Sequence, residues 1–135
     1  MKVVGNCEYG LILYRDRLPK FRNNGKMIFN CMDWPRDGES EKIHPTQKPV
    51  ELLKRLIEIF TDEGDVVIDP VAGSGSTLVA AERLNRKGFG FEIKKEFYIK
   101  ANQWLLEEKQ VKLDFKQFGF DKSRMEKNNG LTLFS

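Results

Sequence analysis

GDVVIDPVAGSGSTLVAAERLNRKGFGFEI, residues 64–93, decides the fold. An apolar run of β-branched residues, Val66, Val67 and Ile68, ends in Asp69-Pro70 and opens into the glycine loop Gly73-Ser74-Gly75, after which apolar residues recur at helical spacing. A second apolar run, Phe89 to Ile93, carries an acidic residue, Glu92, at its end. Strand, tight turn, helix and strand in this order make a parallel α/β unit. Glycines at the carboxyl end of such a strand let the backbone approach a ligand, and the next helix presents unpaired N–H groups to it. An acid at the tip of the following strand, about 20 residues beyond the loop, can accept hydrogen bonds from both ribose hydroxyls. Glu92 meets that spacing, and it is read as a ribose acceptor rather than a surface strand end.

What the loop lacks narrows the ligand. The dinucleotide pattern G-x-G-x-x-G/A would need a small residue where Leu78 stands, and a phosphate-binding P-loop needs a lysine where Gly75 is followed by Ser76-Thr77. Asp69 places a carboxylate at the loop entrance, unsuited to a diphosphate but suited to an ammonium or sulfonium group. Asp69 could also be an ordinary turn residue before Pro70. The combination points to S-adenosylmethionine.

Upstream lies HPTQKP, His44 to Pro49. Together with D-P-x-x-G-S-G-S-T (Asp69 to Thr77) and G-F-G-F-E (Gly88 to Glu92), it resembles the C-terminal, cofactor-binding half of a DNA amino-methyltransferase of the beta class, acting on adenine N6 or cytosine N4. Glu8 to Arg15 resembles the strand that precedes the target-recognition segment in that class. The resemblance covers roughly residues 7–106. It implies a partial Rossmann-like methyltransferase fold, S-adenosylmethionine as cofactor, DNA as substrate and a role in DNA modification, including restriction–modification. In the family the HPTQKP motif lies against the methionine end of the cofactor, where Thr46, Gln47 and Lys48 offer hydroxyl, amide and ammonium groups to a carboxylate. The implied cofactor set is therefore Thr46, Gln47, Lys48, Asp69, Pro70, Gly73, Ser74, Gly75 and Glu92. His44, between prolines, is read as a structural residue of the turn, because methyl transfer needs no histidine base.

The sequence departs from the family at one point. The family holds its target amine on a [DNS]-P-P-[YFW] loop, whose aromatic ring stacks on the flipped base. Residues 1–135 contain no such tetrapeptide: Asp33-Trp34-Pro35 has the letters in another order, and Asp69-Pro70-Val71 belongs to the cofactor loop. No catalytic residue is therefore assigned, and the chain is expected to bind cofactor without transferring methyl groups alone. A catalytic half supplied from elsewhere is one expectation. A non-catalytic remnant or interaction module that keeps the fold, self-associating as a homodimer, is the other.

The 135 residues set the scale of one domain, with 40% hydrophobic residues for a modest core and a formal net charge of +3. That balance is too weak to indicate nucleic acid by itself. Its distribution is more telling, since Arg15, Arg17, Lys20, Arg22 and Lys26 cluster around Phe21 against a lone acid, Asp16. The cluster falls at the start of residues 17–43, where the resemblance implies target recognition, and phosphate contact is the role expected of it; a solvated loop is the alternative. Two cysteines, Cys7 and Cys31, and one histidine make no metal-binding pattern. Neither a signal peptide nor a membrane-length apolar run is present, so a cytoplasmic protein with reduced cysteines is expected.

Three core strands are expected, at about residues 9–14, 65–69 and 88–93, and a sheet so small leaves open edges for another chain. Val50, Leu53, Leu56, Ile57 and Phe60 predict a helix with Pro49 in its first turn and Gly64 past its end. Phe97, Ala101, Trp104 and Leu105 predict another core-facing stripe. The methyltransferase part is placed at residues 1–109 and a polar tail at 110–135. Leu131-Thr132-Leu133-Phe134 resembles peptides that bind bacterial sliding clamps, with Gly130 where a glutamine usually leads.

Overall fold

The computed structural model describes residues 8–16, 21–33 and 42–117. Five elements follow in order: α1 (Val50–Phe60), β1 (Val66–Asp69), α2 (Ser76–Arg83), β2 (Lys87–Gly90) and α3 (Lys95–Gln117). β1 and β2 pair in parallel, with Val66 opposite Lys87 and Asp69 opposite Gly90. A parallel pair cannot be joined by a tight hairpin, and α2 is the crossover that the GSGST turn starts.

α2 is the centre of the core. Val79, Ala80 and Ala81 are fully buried, and Val50 and Ile57 of α1 pack with them, joined by Leu53, Val67, Leu84, Trp104 and Leu105. Small residues on both sides allow the close approach of helix to sheet. A Cβ added at Gly88 would lie 3.3 Å from a Leu78 methyl, and one at Gly90 would lie 2.7 Å from Leu78 Cδ1 and 3.0 Å from Ala72 Cβ. The glycines of GFGF thus turn toward α2, and the alternation of a strand sends Phe89 and Phe91 to the opposite face.

Among the described residues no element covers that opposite face. Ile68, Phe89, Phe91 and Ile93 are all exposed, Ile93 completely so. Parallel sheets are normally covered on both faces, which makes this exposed apolar surface unusual for such a pair.

α1 follows Pro49, which stands just outside the helix as its extended N-cap (φ −59°, ψ 131°) rather than within the first turn, and ends at Thr61, whose hydroxyl donates to the Ile57 carbonyl at 2.6 Å. The predicted stripe is largely the buried side, with one addition. Ile59 lies off the stripe yet is fully buried; its carbonyl accepts the Arg22 N–H at 2.8 Å, so the segment around Arg22 passes along that side of the helix. Phe21 meets Phe60 edge to face, with ring centroids 5.4 Å apart.

α3 is bound to α2 by charge as well as by Ala101. Arg83 makes a two-pronged contact with Glu108, its Nε 3.0 Å from Oε2, and Lys112 reaches the Glu82 carbonyl at 2.8 Å. The helix continues to Gln117, beyond the Lys109–Gln110 boundary placed from charge. Trp104 packs against the core as its spacing predicted.

The strand expected at residues 9–14 is absent. Tyr9 to Tyr14 form no ladder, and Tyr9, Leu11 and Leu13 are exposed. An alternating apolar pattern makes a strand only where an edge accepts its hydrogen bonds, and among the described residues the sheet consists of β1 and β2. The strand expected at residues 88–93 also ends early, at Gly90 rather than residue 93. Its direction persists for one more residue, because Phe91 donates to the Asp69 carbonyl at 3.0 Å and accepts from the Ala72 N–H at 2.9 Å.

Candidate cofactor site

The carboxyl ends of β1 and β2 open on the same side, and the glycine loop bridges them. Asp69 turns back on itself, its Oδ1 accepting the Val71 N–H at 3.0 Å, which sets the chain through Pro70 into the loop. Gly73 and Gly75 both take left-handed conformations, with φ of 54° and 81°. At Gly75 this geometry starts α2: its carbonyl accepts the N–H groups of Leu78 and Val79 at 2.9 and 3.0 Å, and no side chain caps the helix. Glycine is also required there for space, since a Cβ would come within 3.0 Å of Ala101 Cβ. Ser74 between them is buried.

Glu92 closes the loop from the β2 side. Its Oε2 accepts the Gly73 N–H at 2.9 Å, and its Oε1 accepts the Lys94 N–H at 2.8 Å. These bonds favour the ionised form. The Lys94 N–H lowers its pKa most, desolvation opposes, and the Gly73 N–H and the His44 ring lower it further. The side chain predicted to receive a ribose therefore already holds the loop in shape as a carboxylate.

The HPTQKP turn packs against this loop. Gln47 does not point outward; its Oε1 accepts the N–H groups of Ile43 and His44 at 2.9 and 3.4 Å, so it secures the turn from within. Thr46 is exposed, and its N–H and hydroxyl lie 3.2 and 3.0 Å from His44 Nδ1. Lys48 pairs with Glu8 at 2.7 Å. Two aromatic rings complete the junction: His44 stands edge to face with Phe97, centroids 4.4 Å apart, and Lys94 Nζ lies 5.4 Å above the Phe97 ring. Phe97 was legible as a core-stripe residue, but nothing in its spacing indicated a place beside His44.

The predicted set is thus gathered in one place, with the glycine loop, Asp69 and Glu92 on one side and the HPTQKP turn on the other. An anionic pair, Asp69 and Glu92, flanks left-handed glycines whose positions no side chain could occupy without strain. Those carboxylate acceptors suit a ligand with hydroxyl donors and a cationic group, and do not suit a diphosphate.

The basic cluster is only partly gathered. Arg22 is held by Asp62 just beyond α1, and Arg15 lies 3.7 Å from Asp16 in an exposed pair. The Lys26 N–H closes a turn onto the Asn23 carbonyl at 2.8 Å. Arg17, Lys20, Cys7 and the Leu131 to Phe134 motif lie outside the described residues, as does part of the 17–43 segment. A separate groove of about 350 Å³ runs between Met27, Phe29, Met32 and Leu52, and it shares no residue with the glycine loop. Among the described residues no His, Cys, Asp and Glu group is placed to hold a metal ion, and no helix is long and apolar enough to cross a membrane.

Residues 13–103 match the family described as DNA methylase. The chain is 44% identical over 93 residues to the DNA adenine methyltransferase YhdJ of Escherichia coli (strain K12), covering 67% of this chain and 31% of that protein. It is 41% identical over 97 residues to the Type II methyltransferase M2.DpnII of Streptococcus pneumoniae, covering 70% of this chain and 36% of that one. Among solved structures, the M1.HpyAVI–SAM complex superimposes with a TM-score of 0.56 at 33% identity, over 63% of this chain and 43% of that chain. The chain spans about a third of the length of these two curated relatives. On the match over residues 13–103, it belongs to the DNA methylase family, with the α/β fold of a methyltransferase reduced to two strands and three helices among its described residues.

Proposed function

We propose that residues 44–92 bind S-adenosylmethionine and that the chain is the cofactor-binding and DNA-facing part of a methyltransferase acting on the exocyclic amine of adenine or cytosine in DNA. One observation carries this reading: the Gly73–Gly75 loop and the Glu92 carboxylate converge at the open ends of two parallel strands. Ligands of open α/β sheets sit in that crevice. A similar chain, M1.HpyAVI, was solved as a SAM complex, and this supports the assignment.

In this reading Glu92 accepts from the ribose hydroxyls, sharing oxygens that now hold Gly73 and Lys94. Asp69 faces the cationic end, and the α2 N-terminus lies beneath the ligand with its unpaired N–H groups. Thr46, Gln47 and Lys48 are the side chains of the HPTQKP turn assigned to the methionine carboxylate, and each already has a partner within the chain: His44 for Thr46, the Ile43 and His44 N–H groups for Gln47, and Glu8 for Lys48. When bound, S-adenosylmethionine supplies a methyl group already activated by its positive sulfur. The chain's own contribution is then to orient the cofactor and to exclude water around it.

Transfer needs a pocket for a flipped base, and residues 1–135 hold no [DNS]-P-P-[YFW] sequence. The reading therefore includes further methylase residues packed on the bare face of Ile68, Phe89, Phe91 and Ile93. Arg15, Arg17, Lys20 and Lys26 are assigned to DNA phosphates, with Arg22 contributing less because Asp62 holds it. Calorimetric titration of S-adenosylmethionine should give binding heat that Glu92→Ala abolishes; a flat trace with the folded native chain would refute the cofactor site. Labelled methyl transfer to DNA is expected to be absent with residues 1–135 alone and restored by adding the remainder of a related methylase.

A further inference from the structure

His44 sits where the HPTQKP turn, the glycine loop and α3 meet, and methyl transfer gives it no chemical task. Its Nδ1 lies 3.2 Å from the Thr46 N–H, which must donate, so Nδ1 is the acceptor and the ring proton is on Nε2. Its carbonyl accepts the Gln47 N–H at 3.1 Å. Its ring covers Gly73: a Cβ built there would touch His44 Cγ and Cδ2 at 3.8 Å. The far side of the junction is the Phe97 ring.

Gly73 needs such support. A glycine at φ of 54° has no side chain to restrict it, and its N–H is the donor that Glu92 holds. One side of Gly73 is therefore fixed by a carboxylate and the other by an imidazole. Asparagine at position 44 could supply the acceptor without the ring, and phenylalanine the ring without the acceptor. Histidine supplies both.

We propose that His44 is a positioning residue for the cofactor site: its ring seats Gly73 while its Nδ1 holds the Thr46–Lys48 turn, which fixes the spacing between the two walls that grip the ligand. The consequence for binding rests on residues 44–92 being an S-adenosylmethionine site, whereas the geometry of the clamp can be measured without ligand.

The test is nuclear magnetic resonance on the full 135-residue chain, where a single histidine makes the imidazole signals unambiguous. The native chain should show the Nε2–H tautomer at neutral pH. In His44→Ala, amide exchange at Gly73 and Lys94 should accelerate about tenfold, the protection that one hydrogen bond of ordinary strength provides, while Val79 and Ala80 keep their native rates. His44→Phe should keep Gly73 protected and release the Thr46 amide, and His44→Asn should do the reverse, so the pair decides the matter if the alanine variant does not fold. An Nδ1–H tautomer, native protection of Gly73 in His44→Asn, or equal acceleration across α2 and the loop would overturn the proposal. Titration with S-adenosylmethionine then separates the two readings. Weaker binding by His44→Asn, by about tenfold, supports the positioning role. Unchanged affinity in that variant with a loosened Gly73 refutes it. Binding heat absent from the native chain with the resonance pattern intact refutes the cofactor assignment and leaves the clamp standing.

Discussion

Replacing Gly75 with alanine should destabilise the folded chain by roughly 2–4 kcal/mol, through two separable effects. At φ 81° and ψ 9° the residue is left-handed, which costs an L-amino acid about 1–2 kcal/mol. The new methyl would also meet Ala101 Cβ at 3.0 Å. Ala101 is buried and has no rotamer to yield, so α3 must shift, an overpacking cost of about 1–3 kcal/mol. Reduced freedom of the unfolded chain returns about 0.4–1 kcal/mol. Urea unfolding followed by circular dichroism measures the sum, and at an m-value of about 1–3 kcal/mol/M the midpoint should fall by roughly 0.7–4 M. A double-mutant cycle with Ala101→Gly separates the effects, because removing the opposing methyl relieves the contact and leaves the backbone strain. Coupling of about 1–3 kcal/mol is expected between the two sites. Strict additivity, or a Gly75→Ala midpoint equal to the native one, would show that the loop does not press on α3 in this way.

Folding lowers the pKa of Glu92, so its stabilising contribution is complete above the unfolded-state value near 4.5 and is lost as pH falls through the lower folded value. Thermal melts across the acid range should show this loss in the native chain and a shallower one in Glu92→Gln. Arg86 donates to the Thr61 hydroxyl at 3.1 Å, to the Thr61 carbonyl at 3.0 Å and to the Leu84 carbonyl at 2.5 Å, tying the end of α1 to the end of α2. Arg86→Ala should cost about 1–2 kcal/mol in urea unfolding, and Arg86→Lys should recover little of it, because an ammonium cannot reproduce the planar fork. Ile68 and Phe89 are register partners on the exposed sheet face; where the layer proposed to cover it is missing, a second copy is expected to take its place, so Ile68→Lys with Phe89→Lys should shift sedimentation toward monomer while leaving the circular dichroism spectrum unchanged. A double variant that associates as the native chain does would place self-association on another surface.

Much of the site was readable from local pattern. The glycine loop, Asp69 and Glu92 form a unit because a strand, a turn and a helix in succession leave little freedom in where the next strand tip falls, and the spacing carries that constraint. α1 was equally legible from Val50, Leu53 and Ile57, whose period is set by the helix itself. Tyr9 to Tyr14 failed as a strand for the opposite reason: alternation describes a segment able to pair, and the partner is a matter of what lies beside it. At Gln47, expected to face a ligand, the Oε1 atom accepts two backbone N–H groups of its own turn, a partnership that residue type alone does not reveal.

From the sequence alone came the βαβ order, the exclusion of a diphosphate by Leu78 and the missing lysine, and the resemblance borne by HPTQKP and DPVAGSGST. These depend on chemistry and spacing within a few dozen residues. Only the tertiary structure decided that Gly88 and Gly90 make room for Leu78, that Ala101 closes on Gly75, that His44 bridges Phe97 and Gly73, and that one sheet face is left uncovered by the described residues. Each of those is a contact between segments distant along the chain, set by how closely the layers approach, and a backbone must be folded before such distances exist.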